Sequence, residues 1–222
     1  MAPGTRIACA VKANGYGHGI RWVAGALESA DAFAVACIEE AVELRDAGFN
    51  HPILLLEGIL DASELQAAAD FKLQLVLHHP WQLDVLEKAS NSLQVEVWLK
   101  VDTGMHRLGF QSTQVAAAYQ RLAECKAVSG LPRLLTHFAC ADDRANPMTD
   151  EQIANFDRIA ERYPIDCSMA NSAGLISRPD SHRDWVRPGI MLYGSSPMIN
   201  ESAASLDLLP VMTLSTNLIA IN

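Results

Sequence analysis

The first place where this sequence could do chemistry is a single lysine beside a glycine-rich turn. Residues 10–19 read Ala-Val-Lys-Ala-Asn-Gly-Tyr-Gly-His-Gly. An apolar run from Ile7 to Val11 therefore delivers Lys12 to the point where a buried strand meets a sharp turn. Burying an ammonium is costly, and burial depresses a lysine's pKa toward the neutral amine that a Schiff base with an aldehyde requires. Gly15, Gly17 and Gly19 let the backbone turn and come close to a ligand. Spacing alone leaves open a second reading, in which Lys12 is a strand-end lysine facing water.

Other groups able to do chemistry sit in similar places. Arg107, His137 and Asn171 each fall at or just beyond the carboxyl end of an apolar, β-branched-rich run. Such runs predict strands at Arg6–Val11, Phe33–Cys37, Ile53–Leu56, Leu73–Leu77, Gln94–Val101, Arg133–Phe138, Asp166–Met169 and Trp185–Tyr193. Amphipathic patterns between them predict helices at Ile20–Ala30, Ile38–Ala47, Ala62–Phe71, Pro80–Ala89, Ser112–Glu124 and Asp150–Tyr163. In Ile38–Ala47 the apolar positions Ile38, Ala41, Val42 and Leu44 share one face, and Glu39, Glu40, Glu43 and Arg45 the other. Asp61-Ala-Ser-Glu64 is a capping-box pattern, with Asp61 as the expected cap. Strand–helix alternation implies parallel strands covered by helices, an α/β fold. Eight strands point to a (β/α)8 barrel, with an open doubly wound sheet as the alternative. The barrel is favoured because Lys12, Arg107, His137 and Asn171 share a pocket only if the strand ends converge in a ring.

The chain has 222 residues, half of them hydrophobic, and a formal net charge of −9, enough for a domain with a sizeable core. That charge and the absence of a Lys/Arg block argue against a nucleic-acid partner. Cys9, Cys37, Cys125, Cys140 and Cys167 are scattered, odd in number and free of any C-x-x-C pair, which reads as reduced thiols of a cytoplasmic protein and gives no metal site. The apolar runs are too short to cross a membrane, and residues 1–6 lack the apolar core of a signal peptide.

The wording of several segments is similar to that of alanine racemases of the proteobacterial type. They are the Lys12 stretch, Leu99-Lys-Val-Asp-Thr-Gly-Met-His-Arg-Leu-Gly-Phe110, Thr136-His-Phe-Ala139, Ala170-Asn-Ser-Ala173 and Trp185-Val-Arg-Pro-Gly-Ile-Met-Leu-Tyr-Gly194. The resemblance implies a pyridoxal 5'-phosphate (PLP) enzyme, cytoplasmic and homodimeric, that interconverts L- and D-alanine for peptidoglycan or alanine catabolism. By the same resemblance Lys12 holds PLP and acts at the substrate's α-carbon, with Arg107 and His137 beside it as further catalytic residues. Tyr16, Ser172 and the backbone around Gly189 and Ile190 take the phosphate, and Asn171 lines the site. Arg187 faces the pyridine nitrogen, where a group that only donates leaves that nitrogen neutral. Ser168 stands where the family often has a histidine beside that arginine. Lys100 matches a lysine that is carbamylated in some members; unmodified, it and Arg107 are unpaired like charges. His106 stands where smaller residues are usual.

The resemblance also sets expectations for organisation. Residues 1–205 are expected to form the PLP-binding barrel, beginning almost directly on its first strand, where the family has an earlier strand and helix. Residues 206–222, with the β-patterned Pro210–Ile221, are expected to open an all-β domain that carries the second acid–base group. Rival readings are a single-domain PLP carrier, an inactive barrel fragment, and a decarboxylase or aldolase on the same barrel. The last is disfavoured by arginine in place of a carboxylate at residue 187.

Overall fold

The computed structural model describes residues 4–90 and 92–221. Among the described residues nine strands form in chain order: Arg6–Ala10 (β1), Ala32–Val35 (β2), Ile53–Leu55 (β3), Leu73–Leu77 (β4), Glu96–Asp102 (β5), Phe110–Gln111 (β6), Arg133–Leu135 (β7), Cys167–Ser168 (β8) and Trp185–Val186 (β9). All their pairings are parallel. β4 pairs with β5 and β9 returns to β1, so eight strands close a (β/α)8 barrel and β6 is a short flap on β5.

The helices are Ile20–Ala26 (α2), Ile38–Asp46 (α3), Glu64–Asp70 (α4), Pro80–Glu87 (α5), Ser112–Glu124 (α6), Met148–Ala160 (α7) and Ser172–Ser177 (α8); a single turn at Lys12–Tyr16 (α1) precedes them. No helix among the described residues is long and apolar enough to cross a membrane.

Alternation along the strands divides the core in two. On β1, Cys9 joins the large layer between strands and helices. Ala8 points inward, with Ala32, Ala34, Leu54, Val76, Trp98, Leu135 and Trp185, and together they fill the barrel. At the amino ends of the strands a charged girdle closes over this filling. Arg6 pairs with Asp166 at 2.6 Å and Arg133 with Glu96 at 2.7 Å. Trp185 donates to Asp166 at 3.2 Å and Trp98 to Gln74 at 2.9 Å. The two indoles meet edge to face, 6.1 Å apart, and the Arg6 guanidinium lies 4.4 Å over the Trp185 ring.

Several expectations are corrected. Trp185–Tyr193 is not one strand: pairing ends at Val186, Arg187 N–H turns to the Ala170 carbonyl at 2.8 Å, and Ile190–Tyr193 is a 3-10 turn. Asp61 does not cap α4. The cap position is Ser63; Asp61 accepts from Ser63 N–H at 2.8 Å and Glu64 reaches back to Leu60 N–H at 2.7 Å. Helix α8 was not predicted, being six residues long and without a full apolar period. Apart from these corrections, Pro210–Ile221 forms no strand among the described residues, and its Leu214 and Ile219 are almost fully exposed. Arg45 leaves the polar face of α3 to donate to the carbonyls of Phe71, Phe49 and His51.

Candidate active site

Lys12 follows β1 directly, and the backbone after it is wound the wrong way for L-residues. Ala13, Asn14 and Tyr16 have φ of 53°, 51° and 53°, a left-handed conformation costing about 1–2 kcal/mol per residue. Gly15 completes the turn at φ 62°; a Cβ there would meet Val23 Cγ2 at 2.8 Å. The turn closes through Gly15 N–H to the Val11 carbonyl at 2.8 Å and Gly17 N–H to Ala13 at 2.9 Å. Its result is to place Lys12 and Tyr16 at the rim of one cavity of about 650 Å3 at the carboxyl ends of the strands.

Every residue singled out as a site candidate borders that cavity: Lys12 and Tyr16; Lys100 and Arg107; His137; Asn171 and Ser172; and Arg187, Gly189 and Ile190. They come from five separate strand ends, which only a closed barrel brings together.

On one side Tyr16 stacks on Tyr193 with ring centroids 4.6 Å apart. The Tyr193 hydroxyl donates to the Ala10 carbonyl at 2.9 Å. Burial raises the pKa of both phenols, so both keep their protons at neutral pH. Gly189 packs flat against Tyr16: a Cβ at 189 would lie 2.5 Å from the Tyr16 hydroxyl. Asn171 caps α8, accepting from Gly174 N–H at 2.9 Å. The Ser172 hydroxyl accepts from Gly189 N–H at 2.7 Å and from Met191 N–H at 3.4 Å.

Across the cavity Arg187 is buried, with its guanidinium donating to the Ser168 hydroxyl and to the carbonyls of Thr136 and Met169. Ser168 in turn donates to the Trp185 carbonyl at 2.8 Å. Burial lowers the Arg187 pKa to about 10, which leaves it charged at neutral pH. Asp184, close by in sequence, accepts from Cys167 N–H at 2.8 Å and is not among the partners of Arg187.

Lys100, buried on β5, has its pKa pushed down to about 8, first by burial and then by Arg187 and Arg107. Burial, with those same cations, holds His137 down to about 3, so it is neutral near pH 7. Among the described residues none of Lys12, Lys100, Arg107 and Arg187 has a carboxylate within 4 Å, while Glu57 and Asp142 lie on the lining. Four unpaired cations around one cavity call for an anion.

Some residues fall outside this arrangement. His18 faces the Gly15 and Tyr16 carbonyls. Cys140 turns to Met148. His106 is exposed, at φ 57°, and bonds the Asp102 carboxylate at 3.1 Å through Nδ1. Glu57 was missed, although it follows an apolar strand just as Lys12 does. Tyr193 was read only as part of a segment.

A cationic cavity at the carboxyl mouth of a closed parallel barrel, with a lysine on its first strand end, marks a (β/α)8 barrel protein with its candidate site where such barrels place theirs. The chain belongs to the family described as alanine racemase, N-terminal domain, which it matches over residues 1–197. It is 48% identical over 222 residues to an alanine racemase of Thioalkalivibrio sulfidiphilus, covering 99% of this chain and 62% of that protein. To an alanine racemase of Aeromonas hydrophila it is 49% identical over 220 residues, with 99% and 62% covered. Among solved structures, the biosynthetic alanine racemase from Pseudomonas aeruginosa superposes with a TM-score of 0.90 at 45% identity, covering 94% of this chain and 58% of that one. The alanine racemase from Corynebacterium glutamicum gives 0.82 at 30% identity, with 94% and 61% covered. The chain thus spans about three fifths of the length of these relatives.

Proposed function

We propose that this chain is the PLP-holding part of a racemase that interconverts L- and D-alanine. The observation carrying the reading is the cavity's charge: a phosphate, a phenolate and a substrate carboxylate would meet the four cations that lack carboxylate partners. The cradle at Gly189, flush against Tyr16 and beside the Ser172 hydroxyl and the start of α8, suits the phosphate. The bound cofactor supplies a conjugated ring that withdraws electrons from the substrate's α-carbon.

Each residue then has a stated task. The Lys12 amine would hold the cofactor and, when free, would give or take the proton at one face of the substrate's α-carbon. Arg187 cannot give up a proton to a ring nitrogen and only donates a hydrogen bond. With no proton supplied there, the bound group would withdraw electrons less strongly, which would favour prompt return of the α-proton over side reactions. Neutral His137, on the cavity lining, would border the ring without adding a fifth charge. Arg107 supports the substrate carboxylate, and Lys100, poised close to its neutral form, is suited to taking up carbon dioxide as a carbamate that would pair with Arg107. Inverting the α-carbon also needs an acid–base group on the opposite face, which we assign to a further domain of the whole enzyme, brought in by a second subunit of a cytoplasmic homodimer.

The test is a D-alanine assay on this 222-residue chain beside a longer form that includes the domain following the barrel. Activity in the longer form and about 10²–10⁴-fold less in this chain is expected, the range for loss of one acid–base group. Comparable turnover from both would place the second group inside the barrel and sink that assignment.

A further inference from the structure

The turn that places Lys12 and Tyr16 is strained, and one carboxylate from a neighbouring element ties it down. Glu40 lies in the first turn of α3, on the face whose pattern reads as solvent-facing. Its Oε1 accepts from the N–H of Asn14 at 3.1 Å, and its Oε2 from the N–H of Ala36 at 2.9 Å. A glutamate at this helical position ordinarily satisfies its own helix start. Here it does so with one oxygen, one residue before the usual place, and spends the other on a left-handed residue 26 positions away. Asn14 extends the tie, since its Oδ1 accepts from Ile20 N–H at 2.9 Å and so fixes the start of α2.

We infer that Glu40 is a positioning residue for cofactor capture, a reading that rests on the PLP assignment above. Ala13, Asn14 and Tyr16 hold conformations that L-residues leave when free to do so. Relaxing any of them rotates the chain between Lys12 and Tyr16 and moves the amine relative to the phosphate cradle at Gly189. Glu40 adds a charge-assisted hydrogen bond at the middle of that turn. It touches neither cofactor nor substrate; it acts through the backbone of Asn14.

The experiment uses the 222-residue chain, its Glu40→Ala and Glu40→Gln forms, and PLP as the probe. Three quantities are measured: the PLP dissociation constant, hydrogen exchange at the Asn14 and Ala36 amides, and the urea midpoint without PLP. Glu40→Ala is expected to weaken PLP binding about tenfold or more, the worth of one hydrogen bond to a charged group, with faster exchange at both amides. Glu40→Gln keeps an acceptor oxygen and is expected to fall between. A purely capping role would lower the urea midpoint and leave the dissociation constant where it was, and that result overturns the inference. Should Glu40→Ala fail to fold, a wild-type dissociation constant in Glu40→Gln with fast Asn14 exchange overturns it equally. Failure of the wild-type chain to bind PLP through Lys12 would overturn the PLP assignment and this inference with it. Binding by the wild type with no change in the variants overturns this inference alone.

Discussion

The Tyr16 hydroxyl fills the space where a side chain on Gly189 would start: a methyl group on residue 189 would begin 2.5 Å from that oxygen and 3.3 Å from the ring carbon bearing it. Tyr16 cannot step aside freely, because Tyr193 stacks on its ring with centroids 4.6 Å apart.

Gly189→Ala is therefore expected to push Tyr16 off its cradle. Overpacking of this sort costs about 1–3 kcal/mol. PLP affinity should fall about tenfold, while a change at exposed Gly25, which meets nothing within 4 Å, should leave it alone. A titration of the chain with PLP measures both, and equal affinities would remove Gly189 from the phosphate end.

Lys12 is expected to be the residue that PLP modifies. Borohydride treatment of the chain with PLP, followed by peptide mapping, should find the pyridoxyl group on Lys12. Label on Lys72, Lys88, Lys100 or Lys126 in its place would refute the assignment.

His137 should make the fold sensitive to acid. Its folded pKa is lowered to about 3, whereas an unfolded histidine titrates near pH 6.5. The unfolded chain thus binds the extra proton first. Stability present in full above pH 6.5 is lost as the pH falls toward 3. Urea unfolding at pH 7 and pH 4.5 should show a smaller loss for His137→Phe than for the wild type, and equal losses would contradict the buried neutral imidazole.

Lys100 should act in the alkaline range. Its folded pKa, lowered to about 8, lies below the unfolded value near 10.4. The cost of burying the ammonium stands in full below pH 8 and is relieved as the pH rises to about 10.4. Lys100→Met is expected to stabilise the chain without cofactor at pH 7, with the gain shrinking by pH 10. A gain independent of pH would mean that Lys100 does not titrate as described.

In the whole enzyme, Arg187→Glu is expected to lower racemisation by about 10²-fold, the effect of losing one aligned donor, and to raise transamination. Measuring pyruvate and pyridoxamine phosphate beside D-alanine decides it; unchanged partitioning would place Arg187 away from the ring nitrogen.

The strands were legible because apolar runs in a parallel barrel are buried on both faces, and β3 and β4 fall close to where those runs do. The site candidates were legible because a barrel's chemistry gathers where such runs end; that rule picked Lys12, Arg107, His137 and Asn171. What a one-dimensional pattern could not carry is contact between distant turns. Glu40 counts as a polar-face residue of α3 by periodicity, and only the fold reveals Asn14 N–H beside it. Nor does an alanine announce a left-handed backbone: Ala13 adopts it because its surroundings over-determine the turn. The short helix α8 escaped for a related reason, being defined more by the Asn171 cap than by an apolar stripe.

The girdle of Arg6, Asp166, Arg133 and Glu96, with Trp98 and Trp185 above it, gives the barrel a floor. A vessel with a floor and one rim has no throughflow. A ligand taken in through the rim leaves against the direction in which the next one arrives, so the two cannot pass one another. Exchange becomes a matter of turns at a doorway.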